Sequence, residues 1–125
     1  MNYKSIEATI IALMSLSFIF SNCEDGIGIC LSLDANNLDY VSDTDIAGFQ
    51  FNHDGCLTEP YAQGGAAGSA GFMISGSPSA VIGFSLTGAV VPAGEGTFIE
   101  LVGTPSVDCL SDFIFSDPAG EALVV

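Results

Sequence analysis

Positive charge is almost missing from this chain. Lys4 is its single Lys or Arg, set against fifteen Asp plus Glu, and the formal net charge is -14. With no lysine or arginine beyond position 4, nothing can neutralise phosphates. That excludes nucleic acid as a partner and disfavours anionic membrane surfaces and phosphate-bearing substrates. Tryptophan is absent as well, so there is no indole platform for stacking a sugar or a base. The longest apolar run, Ala8 to Phe20, falls short of the ~20 residues a membrane span needs. No Asn-x-Ser/Thr sequon occurs, so N-linked glycosylation on that pattern is not expected.

Other absences bear on chemistry. There is no CxxC, and His53 is the only histidine, so the cysteines do not read as a zinc site. No GxSxG elbow supports a serine nucleophile. His53, within Asn52-His53-Asp54-Gly55, reads as a solvated turn residue rather than a catalytic base. Gly64 to Gly68, GGAAG, lacks the spacing, the following helix and the lysine of a phosphate cradle. Close backbone approach or flexibility explains it better. Glycoside hydrolysis would need paired carboxylates in an aromatic-lined cleft. The nine Phe and three Tyr mostly take inward strand positions instead. The chain reads as a protein without catalytic chemistry.

What is present is apolar and β-patterned. Apolar residues make up 49% of the 125 positions and charged residues 13%, which favours one packed domain over a charge-rich disordered tail. Ile27, Ile29, Leu31 and Leu33 alternate along GIGICLSLD. Ala47, Phe49 and Phe51 alternate before a turn at His53-Asp54-Gly55. Ile82, Phe84 and Leu86 share one side of AVIGFSLTG. Further short strands are expected near Leu38 to Val41, in GFMIS, TFIELVG and DFIFSD, and in the terminal EALVV. Residues 62–71 read as a loop or a single helical turn, and VPAGEG as a turn. Seven or eight short strands without an amphipathic helix predict an all-β, single antiparallel sandwich.

Four cysteines, Cys23, Cys30, Cys56 and Cys109, suit disulfides in an oxidising compartment. They allow three pairings, and the sequence does not choose among them. The favoured arrangement is Cys56 with Cys109 and Cys23 with Cys30. Asp34, Asn36, Asp39, Asp43 and Asp45 offer oxygens that could hold calcium, although the sixth-position Gly and terminal Glu of an EF-hand loop are missing. Otherwise Asp and Asn serve there as turn formers. No other cofactor is expected. Tyr40 and Tyr61, in polar stretches, could contact a glycan.

The first 22 residues stand apart from residues 23–125. They begin like a signal peptide, with Lys4 and an apolar middle, but Glu7 follows the lysine and no small-x-small cleavage site precedes Cys23. Every even position from Ile6 to Phe20 is apolar, while Ser5, Glu7, Thr9, Ser15, Ser17 and Ser21 are polar. That is strand periodicity. A retained strand of this kind, with Ile10, Ala12, Met14, Leu16, Phe18 and Phe20 on its apolar side, could complete the sheet of a neighbouring copy.

The stretches DTDIAGFQFNHDGC, GGAAGSAGFMISG, VIGFSLTGAVVPAGEGT and CLSDFIFSDPAGEAL resemble the cohesin-like β-sandwich modules of secreted bacterial surface proteins. The resemblance covers roughly residues 30 to 125. It implies a jelly-roll-type sandwich used in extracellular assembly or adhesion. Two functions are carried forward. The first is an extracellular or cell-surface structural protein that self-associates into a homopolymer by strand donation. The second is a monomeric secreted module for adhesion or glycan binding.

Overall fold

The computed structural model describes residues 18–19, 28–123 and 125. Two antiparallel sheets pack face to face. The strands are β1 (Phe18–Ile19), β2 (Ile29–Asp34), β3 (Asn37–Ser42), β4 (Gly48–His53) and β5 (Leu57–Gln63), then, after helix α1 (Gly65–Ser69), β6 (Met73–Gly76), β7 (Ala80–Phe84), β8 (Gly94–Gly103) and β9 (Leu110–Ser116). One sheet runs β2-β3-β8-β5, with the two-residue β1 added outside β2. The other runs β6-β7-β4-β9. This is the all-β sandwich that the alternating patterns predict.

The inward rows build the core. Ile29, Leu31 and Leu33 of β2 face Leu38 and Tyr40 of β3, and β8 adds Phe98, Ile99 and Leu101. From the other sheet come Phe49 and Phe51 of β4, Val81 of β7, and Leu110 and Phe115 of β9. Phe98 meets Phe49 at 4.9 Å and Phe115 at 5.3 Å, both in edge-to-face arrangement, so aromatic rings of the two sheets interlock. Phe51, Phe98 and Phe115 are fully buried. Burial at this level stabilises by roughly 1.5–3 kcal/mol for each large apolar side chain.

Several elements differ from the expectations, each for a local reason. β5 was not foreseen, because LTEPYAQ carries Pro60 and three exposed residues in succession. It is an edge strand, where a missing N–H is tolerated. It pairs with β8 at Leu57 and again at Ala62 and Gln63, with an irregularity between. Of the two readings of residues 62–71, the single helical turn is the one that forms, as the five-residue α1. Its small residues let it lie against β8: a Cβ on Gly65 would sit 2.5 Å from the Phe98 carbonyl oxygen. Gly94 to Gly96, expected in a turn, begin β8 instead. Within EALVV, the stretch 121–123 is not a strand. It folds back on β9 through the Ser116–Ala122 bridge and a bond from Leu123 N–H to the Phe115 carbonyl at 2.8 Å.

A disulfide between Cys56 and Cys109, just before β5 and β9, staples the two sheets together at one end.

Candidate functional site

The site built by the N-terminal segment lies at the β2 edge of the first sheet. Phe18 pairs with Leu33 and Ile19 with Ser32, antiparallel. β2 can accept a strand because it is regular and its inward row is large and apolar, continuing from Ile29 through Leu31 to Leu33. In this register Leu33, a core residue, stands opposite Phe18, the apolar parity of the segment. β2 ends at Asp34, one residue further on, where Ala35 and Asn36 turn the chain into β3. Asn36 pins that turn: its side-chain amide donates to the carbonyls of Leu101 at 2.8 Å and Gly103 at 3.2 Å. Ile10, Ala12, Met14, Leu16 and Phe20 lie outside the described residues, as does Cys23.

Cys30 is disulfide-bonded and buried, although it occupies an outward position of β2 between the inward Ile29 and Leu31. Cys56 and Cys109 pair as the favoured arrangement has it. A disulfide of this kind persists in oxidising surroundings. Among the described residues, no helix is long and apolar enough to cross a membrane.

The five oxygen-bearing residues considered for calcium do not converge. Asp34 and Asn36 precede β3, whereas Asp43 and Asp45 follow it. Six strand residues separate the two pairs by about 20 Å. Each of three carboxylates has its own partner. Asp39 accepts from the Thr97 hydroxyl at 2.9 Å, Asp43 from the Thr44 hydroxyl at 2.9 Å, and Asp45 from the Ala93 N–H at 3.0 Å. These are the turn-forming and strand-bracing roles of Asp. Among the described residues, Asp54, Cys56 and Cys109 alone bring three ligand atoms within 4.8 Å, and the two sulfurs there are bonded to each other.

His53 is not solvated. It is buried at the end of β4, where Gly55 N–H donates to Nδ1 at 3.1 Å and Nε2 lies 2.8 Å from the Ser77 carbonyl. One neutral tautomer satisfies both contacts, with Nε2–H donating. The ring packs 5.9 Å from Tyr61. It clamps the β4–β5 turn to the β6–β7 turn. Strand parity with Phe49 and Phe51 carries His53 onto the inward row, although the Asn52-His53-Asp54-Gly55 stretch reads as a turn, and the Ser77 carbonyl that fixes the ring is 24 residues away.

Tyr40 is buried as well and packs edge-on against Phe98 at 5.5 Å, so it presents no face to a glycan. Burial pushes its phenol above the ordinary range. Tyr61 is half-buried and lies under β6, where a Cβ on Gly76 would come within 2.6 Å of its ring.

The chain matches no family model, no curated protein and no solved structure.

Proposed function

We propose that this chain is a non-enzymatic extracellular structural protein that assembles into a filament, each copy laying part of its N-terminal segment against the sheet of the next. The pairing of Phe18 and Ile19 with Leu33 and Ser32 carries this reading. A strand added at a sheet edge is held by backbone hydrogen bonds, which do not distinguish the chain's own edge from a neighbour's. In the register observed, β2 has only Asp34 left to set against the residues before Phe18. The apolar even positions nevertheless continue back to Ile6. Ile6 to Leu16 therefore call for a sheet that β2 does not supply, and the same sheet of a second copy has the right chemistry. A head-to-tail contact of this sort does not close on itself, so it propagates as a thread.

Three further observations support the reading. The Cys56–Cys109 staple suits an oxidising, extracellular setting. Both ring nitrogens of the only histidine are committed to the backbone. The acidic surface disfavours disordered clumping.

Electron microscopy of the protein with an intact N-terminus should show threads. Removing residues 6–16 should leave single folded particles. Threads that persist without those residues would overturn strand donation. So would native material whose mature N-terminus lies near residue 22 or 23.

A further inference from the structure

Tyr61 is held in a strained pose at the seam where β5 meets β6. Its backbone is left-handed, with φ 71°, a conformation that bulky residues rarely adopt. Such outliers persist only where the surroundings over-determine them, and they gather at ligand clamps. The surroundings here are specific. The His53 ring, itself held at both nitrogens, lies 5.9 Å from the Tyr61 ring. The β6 backbone closes in at Gly76, where any side chain would push the tyrosine aside. A buried histidine and a glycine together keep one aromatic ring in place.

A cavity of about 490 Å³ opens beside that ring, lined by Glu59, Pro60, Tyr61, Ile74, Ser75 and Gly76. Its size suits a small ligand. Among the described residues, the Glu59 carboxylate and the Tyr61 and Ser75 hydroxyls have no hydrogen-bond or ion-pair partner. Charge narrows what could meet them. No Lys or Arg follows Lys4, so an anion finds nothing to pair with there. A neutral sugar would cover the Glu59 carboxylate without balancing its charge. Calcium asks for about six or more oxygens, which one carboxylate on apolar walls does not supply. An alkylated ammonium meets each requirement. Its charge answers Glu59, its methyl groups lie against Pro60 and Ile74, and the tyrosine ring attracts cations. The negative field of the whole chain gathers such a cation.

We infer that the cavity between β5 and β6 binds a small organic cation, an alkylated ammonium on an apolar stem that bears no anionic group. Glu59 supplies the counter-charge and Tyr61 the aromatic wall. His53 is a positioning residue, acting through the ring it supports. The site uses neither the N-terminal segment nor the β2 edge, so it stands or falls apart from strand donation.

Saturation-transfer NMR on the full chain, with choline as the probe, tests this on single particles and threads alike. The choline methyl signal should respond, and the response should saturate as choline is added. The alcohol in which carbon replaces the choline nitrogen should bind at least roughly tenfold more weakly. So should glycine betaine, which adds a carboxylate to the same headgroup. Glu59→Gln should lower the affinity roughly tenfold. Tyr61→Phe should keep binding and Tyr61→Leu should lose most of it. Glu95→Gln, at an exposed carboxylate of β8, should change nothing. Melting temperatures report that each variant folds, and if Tyr61→Leu does not, Glu59→Gln decides alone. The absence of a saturable response would overturn the proposal, as would equal binding of the neutral alcohol, of betaine or of a methyl glycoside. So would a folded Glu59→Gln variant that binds choline as wild type does, or an equal loss in Glu95→Gln, which would reduce the effect to general attraction by the acidic surface.

Discussion

The ring of Phe49 occupies the space that a side chain at position 83 would fill. A Cβ built on Gly83 would collide with Phe49 Cε1 and would lie 2.6 Å from Phe49 Cζ. Gly83 is on the inward row of β7 beside Val81, and Phe49 of β4 stacks on Phe72 and meets Phe98 edge-on. Gly83→Ala should therefore overpack the core and destabilise by about 1–3 kcal/mol. The urea midpoint should fall with an unchanged slope. Gly48→Ala is the control. It lies on the outward row, where the nearest atom to a new Cβ is Ser116 Oγ at 3.2 Å, so its effect should be much smaller.

His53 acts as a clamp, and its removal should register as lost stability. His53→Phe keeps an aromatic ring but leaves the Ser77 carbonyl and the Gly55 N–H without their partner. An unsatisfied buried polar group costs about 1–3 kcal/mol. Thermal melting followed by circular dichroism should show a clear drop. A melting temperature equal to wild type would mean that water replaces the ring at no cost.

The Cys56–Cys109 bridge spans 53 residues of sequence. In the chain-entropy account, a loop of that size contributes about 4 kcal/mol by restricting the unfolded chain. Cys56→Ala with Cys109→Ala should shift the denaturation midpoint by an amount of that order, without the gain in reactive thiols that reduction would bring. A loss under about 1 kcal/mol would show that the unfolded chain stays compact without the staple.

Tyr40 should make stability fall at alkaline pH. Its phenol titrates above the usual value of about 10 because burial penalises the phenolate. Between the unfolded and folded values the folded chain keeps a proton that the unfolded chain releases. This contribution is fully present below about pH 10 and is lost as pH rises toward the folded value. Melting temperatures from about pH 8 to about pH 11 should fall more steeply for wild type than for Tyr40→Phe. Parallel curves would remove Tyr40 as the cause.

Much of the fold could be read from period-two patterning, because a strand with one buried face must alternate. β2, β4 and β9 are examples, with Leu31, Phe49 and Phe115 inward. β7 shows where the pattern misleads. Its conspicuous alternation, Ile82, Phe84 and Leu86, points outward, and Val81 and Gly83 are the residues that face the core. Alternation fixes that two faces differ, not which of them is buried. That choice belongs to Phe49, which needs a glycine opposite it.

The polar candidates divide in the same way. Asp34 to Asp45 look like one ligand loop in the sequence, but β3 runs through the middle of them. Tyr40, read as a surface aromatic from its polar neighbours, turns inward because strand parity places it with Leu38 and Ser42. His53 likewise follows the inward parity of Phe49 and Phe51, while the Ser77 contact that holds its ring lies 24 residues away.

By itself, the chain's composition set an expectation against nucleic acid and phosphate as partners, since a single lysine offers almost nothing to neutralise them. Its periodicity determined a sandwich of short strands. Tertiary structure alone decided which alternating face became core, which carboxylates stay apart, and that an uncharged apolar sheet face is left outward. Those outcomes depend on contacts between residues far apart in the chain, whose energies no local window contains.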